Sequence, residues 1–409
     1  MSERLAITAL GHDGDGVADA AAGRVFVPFA LPGDVVEAEI EGERGRMVEL
    51  VSAGAGRVAA ACRHFGVCGG CAVQTLAPEP YRNWKRDLVT KAFEQRGIAV
   101  AVDPLVPLAP HSRRRAVFTI KREGHGIALG FNRRESHDVL AIEECPLLVP
   151  AIASRLGRLA GLGGQMIGRA RRGRMTVTAT DTGLDVAVEG ASAPRRSDFE
   201  HLGRHVAEGW LARLTIDGTE IATSRQPELR QGDTVLYPAA GGFLQAAAPS
   251  EQALADLVDA AIVKAGPVVD LFAGIGTFTL RLARRFPVLA VEGDAGLLKA
   301  LDRSMRFSKG IKTVTTRRRD LHLNPMAPPE LKGFKAVVFD PPRAGAKAQS
   351  EMLAKSAVPT IVAVSCNPAT LARDARILID GGYSLTRVTP VDQFLWSSHV
   401  EAVAAFEKR

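Results

Sequence analysis

Residues 267–294, PVVDLFAGIGTFTLRLARRFPVLAVEGD, decide the fold. The apolar run PVVDLF gives way to a glycine-bearing turn, then to TFTLRLARRF with helical spacing, then to a second apolar run ending VLAVE. Strand, tight turn, helix and strand make one βαβ unit. The same grammar extends on both sides. EQALADLVDAAIVKA (251–265) and AGLLKALDRSMRFS (295–308) read as helices, while FKAVVFD (334–340), TIVAVSC (360–366) and VEAVAAFE (400–407) read as three more strands. Strands alternating with helices imply parallel units and a doubly wound sheet, an α/β Rossmann-like domain over residues 249–409.

The preceding residues read differently. ERLAITAL, GRVFVPFA, DVVEAEIEG and RGRMVELVSA are β-prone runs separated by glycine turns within residues 1–55. Short strands so closely spaced predict a small barrel of the OB type. Residues 56–248 hold a cysteine-rich loop, a helix around PEPYRNWKRDLVTKAFEQRG, and further strands at FTIKR, IALGF, DVLAI, MTVTAT, LDVAVEG, RLTIDG and TVLYP. A helix is expected at 151–162 and a glycine- and arginine-rich loop in GLGGQMIGRARRGRM (161–175). This middle part is mainly sheet, with the helical segment around 75–107 free to pack on the last domain.

Composition narrows the class. No run of about 18 apolar residues spans the chain, and MSERLAITALGHDGDG lacks the basic-then-apolar layout of a signal peptide. A chain kept in the cytoplasm, off the membrane and monomeric, is expected. The net charge is +7, unevenly spread: residues 1–50 hold four Arg against ten Asp or Glu, a net −6, which leaves +13 on the other 359 residues. Any grip on a polyanion such as RNA lies mainly outside the first segment.

Candidate chemistry sits at strand ends. In a doubly wound sheet, ligands bind outside the carboxyl ends of the strands. Asp270, Phe272, Gly274 and Gly276 occupy the first turn, where the glycines let a ligand approach the backbone. Glu292 ends the next strand, placed to accept from two ribose hydroxyls, and Asp320 lines the nucleobase side. Thr279 stands where a nicotinamide fingerprint has its third glycine, and no Walker lysine is present. S-adenosylmethionine, with no phosphate to cradle, fits better.

Asp340-Pro341-Pro342-Arg343 follows another apolar strand, its prolines holding the loop stiff. DNA amino-methylating enzymes use a related motif ending in an aromatic residue, where this chain has Arg343. Cys366 ends a strand before Asn367-Pro368, and Glu401 follows His399 and Val400 at the start of the last β-prone run. A buried cysteine is often only filler, but these partners suit one reaction. Carbon 5 of uracil is a poor nucleophile until a thiolate adds at carbon 6, and a base must afterwards remove the carbon 5 proton. Cys366, Glu401 and Asp340 would supply nucleophile, base and a group holding the uracil edge.

DLFAGIGTFTL, FDPPRAG, SCNP and HVE, in this order, resemble the RNA uracil-5-methyltransferase family, as do RRRA, CPLL and FLQ (Phe243, Gln245) in the middle. The likeness covers nearly the whole chain. It is closest to the 23S ribosomal RNA enzymes that carry a TRAM (OB-like) domain and an iron–sulfur cluster. The resemblance implies a class I methyltransferase domain behind a TRAM barrel and a central α+β iron–sulfur domain. It implies Cys366 as nucleophile, Glu401 as base, Asp340 as a uracil-binding carboxylate, and Gln245, Glu292 and Asp320 in the cofactor and substrate pocket. Family members often carry asparagine two residues after that glutamine, whereas this chain has Ala247.

Cys62, Cys68, Cys71 and Cys145 remain. Four thiolates satisfy either tetrahedral zinc or a four-iron cluster. Their three-plus-one layout resembles the family's [4Fe-4S] ligands, with zinc the less favoured occupant and a structural clamp the expected role. Arg113, Arg114, Arg115, Arg169, Arg171, Arg172, Arg174, Arg317, Arg318 and Arg319 are candidates for RNA contact, and His64, Phe65, Phe131 and Phe243 for base stacking. Carbon 6 is inaccessible in a stacked base, so a single-stranded loop of ribosomal RNA is the expected substrate, with transfer RNA as the alternative. A non-catalytic RNA-binding factor and a DNA or protein methyltransferase are the rival readings.

Overall fold

The computed structural model describes residues 2–21, 23–124, 126–167, 172–190 and 196–409. Six strands come first: β1 (Ser2–Ala6), β2 (Ala9–Leu10), β3 (Gly16–Ala20), β4 (Gly23–Val27), β5 (Val35–Glu41) and β6 (Arg44–Ser52). Their order is β1-β5-β6-β4-β3-β2, and β1 returns to touch β3, so the sheet curls around Leu5, Ile7, Val25, Val27 and Val36. The short strand β3, GVADA, is not evident in the sequence. Its small residues are there for packing: a Cβ on Gly16 would lie 2.6 Å from the Ala30 carbonyl oxygen.

The middle of the chain contributes α1 (Pro78–Glu94), β7 (Arg115–Glu123), β8 (Gly126–Asn132), β9 (Val139–Ala141), α2 (Pro150–Ala153), α3 (Leu156–Ile167), β10 (Arg172–Thr180) and β11 (Gly183–Glu189). After these come α4 (Arg196–Ala207), β12 (Leu211–Ile216), β13 (Thr219–Thr223), β14 (Leu229–Gln231) and β15 (Thr234–Leu236). Seven of the strands form one sheet, β13-β12-β11-β10-β7-β8-β9. The expected loop at 161–175 is corrected here: GLGGQMI continues α3, and Arg172 and Arg174 lie on β10. The glycines serve close packing. A Cβ on Gly163 would stand 2.9 Å from Ile120 and one on Gly164 2.7 Å from Ile127. Arg169 and Arg171 lie outside the described residues.

The last part holds α5 (Ala248–Ala261), β16 (Val268–Leu271), α6 (Thr277–Ala283), β17 (Val288–Glu292), α7 (Ala295–Phe307), β18 (Val314–Arg318) and β19 (Ala336–Phe339). It closes with α8 (Lys347–Ala354), β20 (Thr360–Ser365), α9 (Pro368–Asp380), β21 (Tyr383–Val391) and β22 (Glu401–Lys408). The sheet order is β18-β17-β16-β19-β20-β22-β21, the first five strands parallel. This is a Rossmann-like sheet. The sheet ends outside the parallel βαβ units, where β22 runs antiparallel to both β20 and β21. Pro390, which masks β21 in the sequence, is tolerated because β21 is the sheet edge.

Two features position the site. Strand order reverses between β16 and β19, which opens a crevice beyond their carboxyl ends. Helix α1 packs on α9, and its Tyr81, Trp84, Leu88 and Phe93 share one core with Val337, Phe339, Ile361 and Phe406 of the last sheet. Among the described residues no helix is long and apolar enough to cross a membrane.

Candidate active site

A cavity of about 810 Å³ opens at that crevice. Gln245, Phe272, Gly274, Glu292, Asp320, Asp340, Cys366 and Glu401 all line it. They arrive from the loops after β16, β17, β18, β19 and β20, from the segment before α5, and from the first residue of β22.

The turn after β16 is strained. Phe272 has φ +60°, unusual for a residue with a side chain, and Gly274 has φ +56°. Glu292 secures the turn from the neighbouring strand: one carboxylate oxygen accepts from the Gly274 N–H at 3.0 Å, the other from the Asp294 N–H at 2.8 Å. Asp320 accepts from the backbone N–H groups of His322 and Leu323 at 2.9 and 3.3 Å. The His322 ring lies 5.3 Å from that of Phe272, centroid to centroid.

Asp270 and Gly276 do not line the cavity, contrary to expectation. Asp270 is fully buried beneath the turn, accepting from the Thr279 hydroxyl at 2.5 Å, and burial pushes its carboxyl up to about 7. Gly276, at φ +98°, caps α6, and a Cβ there would run into Leu301 of α7. Both shape the turn from below.

The same cavity carries a buried polar chain. Gln245 Nε2 donates to Asp340 Oδ2 at 3.1 Å, and Gln245 Oε1 accepts from Gln393 Nε2 at 2.6 Å. The same Gln393 amide donates to Glu401 Oε1 at 3.0 Å. Burial pushes the Asp340 carboxyl up to about 7. Burial and then the Asp340 charge drive Glu401 well above the usual carboxylate range. Two like charges confined in one buried chain resist joint ionisation, so the pair holds a proton near neutrality. Glu401 Oε2 and Gln393 Oε1 are buried without a hydrogen-bond partner. Gln393 was missed in the sequence; it belongs to no motif, and its only signal is a place eight residues before Glu401 in the turn between two strands.

Cys366 follows β20 on the same cavity. Burial, then the negative charges of Glu401 and Asp340, push its thiol up to about 11, while Arg343 opposes them. The loops after β19 and β20 are tied together: Asn367 Nδ2 donates to the Arg343 carbonyl at 3.2 Å, and Asn367 Oδ1 caps α9 through the Ala369 N–H at 3.1 Å.

Some candidate RNA contacts converge here and others do not. Arg113, Arg115, Arg319, Phe131 and Phe243 line the cavity, and Phe243 is 64% exposed at its mouth. Arg114 is a structural partner, buried against Glu251 at 2.8 Å. Arg317 and Arg319 both pair with Glu330, and Arg174 lies 3.7 Å from Glu189. Arg172 bonds Asn132 Oδ1 at 3.2 Å, and Arg318 bonds the Gly293 carbonyl at 3.3 Å. Ala247, the departure from the resembled pattern, is fully buried in the core.

Cys62, Cys68, Cys71 and Cys145 line a second cavity of about 520 Å³ together with His64 and Phe65. Arg113, Phe131 and Phe394 line both cavities, so the two adjoin. Burial, and behind it mutual repulsion among the thiolates, raises Cys71 to about 12 and also raises Cys68 and Cys145. Among the described residues no three His, Cys, Asp or Glu side chains are drawn together around a single ion.

Residues 310–409 match the protein family described as tRNA (Uracil-5-)-methyltransferase. Over 100% of its length the chain is 47% identical to an uncharacterized RNA methyltransferase of Mesorhizobium japonicum, covering 98% of that protein. It is 33% identical to the 23S rRNA (uracil(1939)-C(5))-methyltransferase of Halomonas elongata, over 98% of this chain and 89% of the other. Among solved structures, the Pyrococcus abyssi tRNA (uracil-54, C5)-methyltransferase in complex with S-adenosyl-L-homocysteine superposes with a TM-score of 0.78. That alignment covers 98% of this chain and 99% of the other at 22% identity, a likeness of fold.

Proposed function

Because this chain belongs to the family of S-adenosylmethionine-dependent RNA uracil-5-methyltransferases, we propose that it methylates carbon 5 of a uridine in 23S ribosomal RNA through a covalent Cys366–uracil adduct. The observation that carries this reading is convergence: Cys366, Asp340 and Glu401 line one cavity together with the Phe272–Gly274 turn. The 23S assignment follows the ribosomal RNA relative, similar over nearly the whole chain. A monomer acting in the cytoplasm is part of the same proposal.

In this mechanism S-adenosylmethionine supplies an electrophilic methyl group on a positively charged sulfur. Phe272, Gly274, Glu292 and Asp320 would hold it, the acids serving as acceptors for ribose and adenine donors. Asp340 and Gln245 grip the polar edge of an extruded uracil, and their chain keeps the protonated carboxyl available as a donor to the developing enolate oxygen. The Cys366 thiolate, opposed by burial and the Glu401 charge and favoured by Arg343, adds to carbon 6. Carbon 5 then carries the electron pair that takes the methyl group. Glu401 Oε2, the oxygen without a partner, removes the carbon 5 proton. The electrons of that C–H bond restore the double bond and expel the Cys366 sulfur.

Cys62, Cys68, Cys71 and Cys145 would hold a [4Fe-4S] cluster whose positive iron centres relieve the thiolate repulsion in the second cavity. Its role is structural, joining the cysteine loop to the strand-end segment at Cys145. Chemical analysis should find about four iron atoms per chain, whereas one zinc would assign the site to the less favoured metal. The decisive test uses labelled S-adenosylmethionine with 23S and transfer RNA transcripts. Cys366→Ala should abolish transfer to 23S transcripts; retained transfer rejects the nucleophile, and labelling confined to transfer RNA rejects the substrate.

A further inference from the structure

One buried cation has no part in this mechanism. Lys85, on α1, is fully buried, where lysine is rarely found without a partner. Its three N–H donors are all used: Asp392 Oδ1 at 3.2 Å, the Phe394 carbonyl at 3.1 Å and the His399 carbonyl. Asp392 is gripped again from the same helix, its Oδ2 accepting from the Tyr81 hydroxyl at 2.6 Å. That hydroxyl in turn accepts from the Trp396 N–H at 3.0 Å, and Trp396 is held at φ +62°. From α5, Ser250 donates to the Asp392 carbonyl at 2.8 Å.

These contacts fix both ends of residues 392–399, the connection between β21 and β22. Gln393 projects immediately after the first anchored residue, and Glu401 two residues after the last. Their mutual hydrogen bond, 3.0 Å, therefore depends on how closely the two ends are held. We infer that Lys85 is a positioning residue for the catalytic base, reaching from the N-terminal half of the chain to cinch the loop that presents Gln393 and Glu401 to the uracil. This inference rests on the assignment of Glu401 as base.

The lysine also acts through charge. Glu401 feels Asp340 and Lys85, with Cys366 across the cavity. Lys85 in turn feels Asp392 and Glu401, and it lies near Tyr81 and near His399, beside which Arg343 sits. After the Gln393 hydrogen bond, the ammonium lowers the proton affinity of Glu401, against burial and the Asp340 charge. Removing it both loosens the base and makes it hold its proton to higher pH.

The test uses the full-length protein with its metal content as purified, a 23S transcript and labelled S-adenosylmethionine, following the covalent RNA–protein band on denaturing gels. Lys85→Met should still form the adduct but release it about tenfold more slowly, the change that one unit of proton affinity brings. Its pH–release profile should move upward. Lys85→Met with Asp392→Asn removes the buried charges as a pair, leaving neither unpaired, and should still move the profile upward, because the charges acting on Glu401 are those of Asp340 and Lys85. Adduct formation in each variant reports that the cavity has folded. If formation and release fall together with the profile unmoved, Lys85 only supports the fold and the inference is overturned. Glu401→Gln is the control: if it traps adduct while the Lys85 variants release normally, only the inference fails. If it traps none, the base assignment fails first.

Discussion

Gln393 is the residue through which the mechanism can be tested most sharply. Its amide donates to Glu401 Oε1 at 3.0 Å inside a site where Gln393 is 2% and Glu401 4% exposed. A donor to a buried carboxylate favours the ionised form. Replacing Gln393 by methionine, of similar length but without the donor, therefore raises the proton affinity of Glu401. Hydrogen bonds to charged groups contribute about 1.5–3 kcal/mol, and about 1.4 kcal/mol corresponds to one unit. The Glu401 inflection should thus rise by roughly one to two units. Below it, adduct release should slow by about 10- to 100-fold, while thiolate addition, which does not use Glu401, changes far less. Single-turnover reactions quenched across a pH series would resolve the two steps. Release at the wild-type rate, with an unmoved inflection, would refute the hydrogen-bonded base.

Three further outcomes follow from the geometry. Asp270 is ionised when unfolded but pushed up to about 7 in the fold, so the native state binds the extra proton and stability falls as pH rises from 3.8 towards 7. Asp270→Asn, which keeps an acceptor for Thr279, should raise the melting temperature at pH 8 and leave it nearly unchanged at pH 4; equal effects at both would contradict the burial argument. Gly276→Ala should cost about 1–3 kcal/mol, from its left-handed φ and the contact with Leu301, measurable by denaturant unfolding. Phe243→Ala should weaken RNA binding by roughly 1–3 kcal/mol through lost base stacking, with the melting temperature unmoved because the ring is exposed; unchanged KM for RNA would remove it from the interface.

Much of the architecture was legible because it is written in local periodicity. The βαβ grammar of residues 267–294 and the strands that follow give the Rossmann-like sheet, and the glycine-punctuated runs before residue 53 give the curled N-terminal one. The failures share a cause. Gly163 and Gly164 read as loop because their reason lies on facing strands, in Ile120 and Ile127. Strand β21 was hidden by Pro390, which only its edge position permits. Asp270 and Gly276 carried the right motif yet face inward, because the turn coils above them.

The reactive set divides along the same line. Residue order alone determined which atoms are present: a strand-end thiol, five carboxylates at or near strand termini, a glycine turn and four cysteines in a three-plus-one layout. Only the tertiary structure decided which of them meet, and in what state of protonation. Gln393 and Lys85 belong to no motif; they matter because β21 and α1 bring them to Glu401 from 8 and 316 residues away. A proton's affinity for a carboxylate depends on the water excluded around it and the charges facing it, and neither is a property of neighbours in sequence.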